Sequence, residues 1–205
     1  WVIWAIDVVG QMPPQTQEVQ VELYPKPEGG LRPIGFFRAV FRLWGKTKRS
    51  DVQSWERTRG KHKAFSMSPG VGAADPVWRQ SIRSEHATGS LQAFVALLWD
   101  IKKCYEHVRH FGLWLEAQAV AFPLVVVRCS LAAYSWPRVL KLERAAAAHL
   151  FPTRGIVAGS FAATSELKCY MLRAIDRFCV SFPQPSINIS IHVDDSCLDA
   201  NDSCE

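Results

Sequence analysis

Hydrophobic positions recur at two spacings along this chain, and the switches between them predict its elements. An apolar opening over residues 1–9 runs into a Pro/Gln-rich connector ending near residue 20. Residues 19–23 alternate apolar and polar side chains, the period of a strand with one buried face. Residues 36–44 space their apolar side chains at three and four, which predicts a helix. The stretch 60–76 reads as loop, and 78–85 as a further helix. Residues 91–99 are apolar on both faces and are expected to form a buried central strand. Helices are expected across 107–120, 124–134 and 161–179, with a strand near 138–142. The β-rich run 186–191 then enters a hairpin expected over 187–199. Strands and helices mix without strict β-α-β alternation, which predicts an α+β fold, a sheet packed on helices.

Composition narrows the class. The chain has 205 residues, 48% hydrophobic and 21% charged, enough for one large domain with a real core. Most of the eight Trp residues are expected to pack, Trp4, Trp44, Trp78, Trp99 and Trp114 among them. Trp55, inside a basic stretch, is a candidate for base stacking. The net charge of +5 is uneven: residues 26–63 carry about +8 and the remainder about −3. A basic block beside an acidic end suits a protein that guides a phosphate backbone toward a metal site, although a solvated basic helix has the same signature. The six cysteines (Cys104, Cys129, Cys169, Cys179, Cys197, Cys204) show no Cys-x-x-Cys spacing, so zinc ligation and a disulfide framework are not expected. No signal peptide is visible, and the longest apolar run, 117–127, holds Gln118 and Pro123 and is too short for a membrane span. An intracellular protein, nuclear or cytoplasmic, is the expectation.

The chemistry lies in His192-Val193-Asp194-Asp195, at the tip of the expected hairpin. Two adjacent carboxylates repel, and such an arrangement persists mainly where a cation neutralises it. Asp100 ends the apolar strand 91–99 and supplies a third carboxylate. One strand-end carboxylate and a hairpin pair are the donor set that holds two divalent ions for phosphoryl transfer. Mg²⁺ suits it, because it takes few protein carboxylates and completes its octahedron with water and phosphate oxygens.

With these residues the chain resembles a reverse transcriptase, of the kind carried by non-LTR retrotransposons and group II introns. Tyr24-Pro-Lys-Pro-Glu-Gly-Gly-Leu-Arg-Pro-Ile34 is similar to the family's fingers motif. Asp100-Ile-Lys-Lys-Cys-Tyr105 is similar to the first palm motif. Arg154-Gly-Ile-Val-Ala-Gly-Ser-Phe161 is similar to the glycine loop, and His192–Asp195 to the Asp-Asp hairpin. The four stand in the family's order from about Val21 to Ala200. The resemblance implies a right-hand polymerase: a lead-in over 1–20, a fingers-like region over 21–90 and a palm-like region over 91–205 with an antiparallel sheet, the thumb missing. It makes Asp100, Asp194 and Asp195 the catalytic and metal-binding residues, with two Mg²⁺ ions that Mn²⁺ can replace.

Lys26, Arg32, Tyr105, Gly159 and Ile101 become the nucleotide-binding residues, and the implied partners are dNTPs and a primed RNA or DNA template. Lys26 and Arg32 flank Gly29-Gly30, a turn that folds both cations toward one point, where they would neutralise a triphosphate. A ring at Tyr105 leaves no room for a ribose 2′-hydroxyl, which favours DNA synthesis over the RNA polymerase alternative. Two departures stand out: Ala158 occupies a position where the family commonly carries Gln, and His192 one where an aromatic is common. They support a rival reading, a non-catalytic relic or nucleic-acid-binding module.

Overall fold

The computed structural model describes residues 1–66, 72, 74–142, 145–182, 187–193 and 195–202. The alternation near the N-terminus becomes β1 (Val19–Pro25), which turns back into β2 (Leu31–Phe37) as an antiparallel hairpin. Val19 and Val21 point into the core, and the tip turns through Gly29 and Gly30, both at positive φ (91° and 86°). Lys26 N–H donates to Gly30 O and Gly29 N–H to Lys26 O, each at 3.1 Å, closing the tip. On its other edge β1 pairs in parallel with β4 (Arg138–Leu142), which is followed by the short β5 (Ala145–Ala146). The segment grouped with the palm-like region in sequence therefore joins the sheet of the hairpin.

A second sheet is fully antiparallel. Its order is β3 (Ala93–Asp100), β7 (Asp195–Asp202), β6 (Ile187–His192), with β7 in the centre. The expectation of a buried central strand for 91–99 is corrected here. β3 is an edge strand, and Val95, Leu97 and Leu98 are 67%, 57% and 70% exposed. An apolar run reads as buried because sequence cannot tell which face another element covers.

The helices make the core. α1 (Val2–Val9) leads into the hairpin, and α2 (Ala39–Arg57) follows it. The helix expected over 36–44 is shifted: Phe36 and Phe37 complete β2, and α2 runs on to Arg57. Its buried side chains, Phe41, Trp44, Val52 and Trp55, fall on one stripe. α3 (Asp75–Gly89) packs on β3 and β7. The short α4 (Cys104–His107) precedes α5 (His110–Ala119) and α6 (Leu124–Tyr134), and α5 packs on both α6 and α7 (Ala163–Ser181). Trp44 is fully buried, but Trp4 and Trp78 are 63% and 67% exposed, which corrects the expectation that they pack. No described helix is long and apolar enough to cross a membrane.

Two buried polar links fix how the helices meet. The Lys168 ammonium on α7 donates to Glu56 on α2 at 2.6 Å and sits 5.6 Å from the Phe65 ring centroid. A buried pair of this kind adds little net stability, but loss of one partner strands a charge, so it penalises every other arrangement of α2 and α7. The second link is Glu166, which accepts a hydrogen bond from the Tyr134 hydroxyl on α6. Burial pushes the Glu166 carboxyl up to about 7, against the Ser130 and Tyr134 hydroxyls, which lower it.

That shift predicts a pH dependence. The unfolded carboxyl ionises near 4.5 and the folded one near 7, so the stability it contributes is complete below pH 4.5 and is lost as pH rises through 7. Glu166→Gln keeps an acceptor for Tyr134 and removes the ionisation. Its melting temperature, compared with wild type, should be higher at pH 8 and little changed at pH 4.5. A difference that does not vary with pH would refute the assignment.

Candidate nucleotidyl-transfer site

In the hairpin β6–β7, His192 is paired across to Asp195, and Val193 follows His192 in the turn. Val193 adopts a left-handed φ of 60°, a conformation that β-branched residues rarely take and that clusters at functional sites. Asp194 lies outside the described residues. On the other side of β7, Asp195 is the cross-strand partner of Asp100 at the end of β3. Residues directly opposite in antiparallel strands project from the same face with Cβ atoms about 5 Å apart. Two exposed carboxylates thus stand side by side, and among the described residues no cation pairs with either.

Like charges opposite each other destabilise a sheet, so the geometry favours a bound cation. Asp100 and Asp195, with Asp194 between the strand ends in sequence, are the residues that could hold one. Among the described residues no group of three His, Cys, Asp or Glu is placed to hold a metal. His192 is half-buried, its Nδ1 3.1 Å from the Ser66 hydroxyl, so it is a packed strand residue. A cavity of about 470 Å³ opens beside the acids and is lined by Trp99, Asp100, His192, Asp195 and Cys197.

A second cleft, of about 700 Å³, runs along the β1–β2 hairpin. Lys26, Arg32 and Tyr105 all line it, so three of the five residues expected to bind nucleotide come together. Ile101 does not line either cavity and packs against the core. Gly159 does not line the cleft either, although its neighbour Ala158 does. The need for glycine at 159 is steric: a Cβ there would overlap the Gly35 carbonyl oxygen of β2. At Gly155, φ is +93° and a Cβ would lie 3.0 Å from Glu106 Cα. The glycine loop is tied to the Tyr105 segment, Gly155 N–H to Val108 O and Ile156 N–H to Tyr105 O, both at 2.8 Å. The His110 ring, with Nε2 2.9 Å from Gly155 O, adds a third tie.

Three further charged residues line this cleft that sequence reading did not assign to the site: Lys103, Glu106 and Arg138. Lys103 has a left-handed φ of 54°, and nothing in its sequence neighbourhood signals it. Arg138 reaches the cleft through the parallel pairing of β4 with β1.

The basic block divides in the same way. Arg38 and Lys48 are paired with Glu18 and Asp7, each at 2.5 Å. Arg42, Lys46, Arg49 and Arg57 stay exposed along the outer side of α2. Trp55, the stacking candidate, is instead buried, its indole N–H donating to Val120 O at 3.0 Å and its ring edge-on to Phe122. Asp199 is 1% exposed and bound by Arg83 through Nε at 2.6 Å and Nη2 at 2.5 Å. No disulfide joins any of the described cysteines.

No family model matches this chain, and no curated protein does. Solved structures do. Telomerase from Candida tropicalis, in a form truncated from the C-terminal domain, matches with a TM-score of 0.61 at 16% identity, covering 92% of this chain and 44% of that one. Telomerase from Candida albicans, in complex with a fragment of telomeric RNA, gives 0.62 at 13%, covering 94% and 38%. The Candida tropicalis enzyme in the corresponding complex gives 0.65 at 12%, covering 91% and 36%. Telomerases are a reverse transcriptase family, so the fold is reverse-transcriptase-like. The chain spans less than half the length of each.

The backbone approach at Gly159 gives a direct test. Gly159→Ala must push the glycine loop off β2 and should cost about 1–3 kcal/mol in chemical denaturation. Ala158→Gln, at an exposed position, should leave stability unchanged. Equal stability of the two variants would show that the loop does not sit on the hairpin.

Proposed function

We propose that this chain is the fingers and palm portion of an RNA-directed DNA polymerase, of the non-LTR retrotransposon or group II intron type. The observation that carries the reading is the register that sets Asp100 beside Asp195 on one face without a cation partner among the described residues. The telomerase-like fold supports it, and the RNA-bound Candida structures support a nucleic-acid partner.

In this reading Asp100, Asp194 and Asp195 hold the divalent ions. Two Mg²⁺ ions, or Mn²⁺ in their place, would supply Lewis-acid activation of a primer 3′-hydroxyl and stabilise the leaving pyrophosphate. The hydroxyl gives up its proton to solvent and its oxygen attacks the α-phosphorus of a dNTP, so that one P–O bond forms as the bond to the pyrophosphate oxygen breaks. Lys26 and Arg32 neutralise the triphosphate from the hairpin tip. The ring of Tyr105 closes the space a 2′-hydroxyl would need, and the Gly159 loop forms the opposite wall. Ala158, exposed where a Gln is common in the resembled family, favours the second reading, a nucleic-acid-binding module without turnover.

Primer extension on an RNA template with Mg²⁺ decides between them. Asp195→Asn should abolish dNTP incorporation while the protein stays folded and bound to the template. Incorporation that survives in this variant would remove the acids from the mechanism. Tyr105→Ala in the same assay should admit rNTPs that wild type rejects. Unchanged sugar selectivity would take Tyr105 out of the nucleotide pocket.

A further inference from the structure

The cleft along the hairpin carries cations at both ends. Lys26 and Arg32 stand near the tip, where β1 ends at Pro25. Arg138 stands at the other end, because the parallel pairing sets it beside Val19. Six residues of extended strand separate those two levels, about 20 Å. The guanidinium is half-buried, and Nη2 donates to Tyr134 O at 3.3 Å. Nε is buried and has no hydrogen-bond partner among the described residues. Burial lowers the Arg138 pKa, and the Glu106 carboxylate across the cleft works against that effect. Arg138 lines the cleft, and phosphate oxygens match the fork of a guanidinium.

The ligand's length then discriminates. A triphosphate held at Lys26 and Arg32 has only three phosphates and does not extend about 20 Å. A single strand, whose phosphates advance about 3.4 Å each when stacked, covers that distance with about six. We propose that Arg138 is the far phosphate anchor of a single-stranded nucleic acid lying along this cleft, with Lys103 contributing beside Tyr105. The inference rests on the polymerase reading for its partner, and it adds a residue and a path to it.

The test is binding of a fluorescein-labelled RNA octamer, oligo(rU), to the whole chain across a salt series, alongside binding of inorganic tripolyphosphate. Arg138→Gln should weaken the octamer about tenfold and flatten the plot of log K against log salt by about 0.7, the loss of one phosphate contact. Its tripolyphosphate affinity should equal wild type. Arg138→Lys should restore the slope but only part of the affinity, because the fork is gone. Glu106→Gln should tighten the octamer by removing the competing carboxylate.

Wild-type affinity and slope in a folded Arg138→Gln protein would overturn the proposal. So would loss of tripolyphosphate in its place, which would make Arg138 a nucleotide residue. Where Arg138→Gln does not fold, Glu106→Gln decides, and no tightening overturns the proposal. Arg138-dependent binding by a wild-type protein that never extends a primer would sink the polymerase reading alone.

Discussion

Two backbones come together at Gly35 and Gly159 so closely that no side chain fits between them. That contact joins the hairpin sheet to the loop leading into α7. The same loop is zipped by backbone hydrogen bonds to the segment around Tyr105, which begins just after Asp100. Hairpin, glycine loop and strand end are therefore parts of one frame. The basic cleft exists because these three pieces cannot drift apart, and Asp100 precedes the zipped segment by only a few residues of chain. Neither glycine contributes chemistry, yet the placement of every charged group in the cleft depends on them.

The two parts of the site face opposite electrostatic problems. On the sheet, Asp100 and Asp195 bring like charges together where the pairing of strands forces proximity. In the cleft, Lys26, Arg32, Lys103 and Arg138 are spread along the walls, with Glu106 as the one opposing charge among its lining residues. Each half is costly alone, and each is relieved by what the other attracts: a cation for the acids, a polyanion for the bases. Reciprocal need of this kind is the electrostatic signature expected where phosphate chains meet divalent ions. The interior shows the contrast, since Lys168 with Glu56 and Arg83 with Asp199 satisfy their charges within the protein.

Much of this was legible in the sequence where the signal is local. The tip glycines, the alternation in β1, the helices α5 to α7 and the β6–β7 hairpin follow from periodicity and turn residues within a few positions. What the sequence concealed depends on distant pairing. β3 looked central because both its faces are apolar, yet exposure depends on which elements arrive beside it. Trp55 looked available for stacking because its sequence neighbours are cationic, while α2 turns it inward against Phe122. The ion pair of Asp199 gave no sign in the sequence, because Arg83 is remote from it along the chain. Arg138 gave no sign of its place because parallel pairing with β1 is written nowhere near it. The third acid, Asp194, lies outside the described residues, so the site is legible there in sequence alone.

The pairing of Asp100 with Asp195 also makes the site a matter of parity. Side chains alternate faces along a strand, so a slip of β3 against β7 by a single residue would set Trp99 or Ile101 beside Asp195 and turn Asp100 to the far side of the sheet. A slip by two would keep the acids on one face and only offset them. Deletions within β3 should accordingly be tolerated in pairs, if at all, and lethal to the site when odd. The arrangement of the two carboxylates is thus protected by counting, with an even number as its only permitted error.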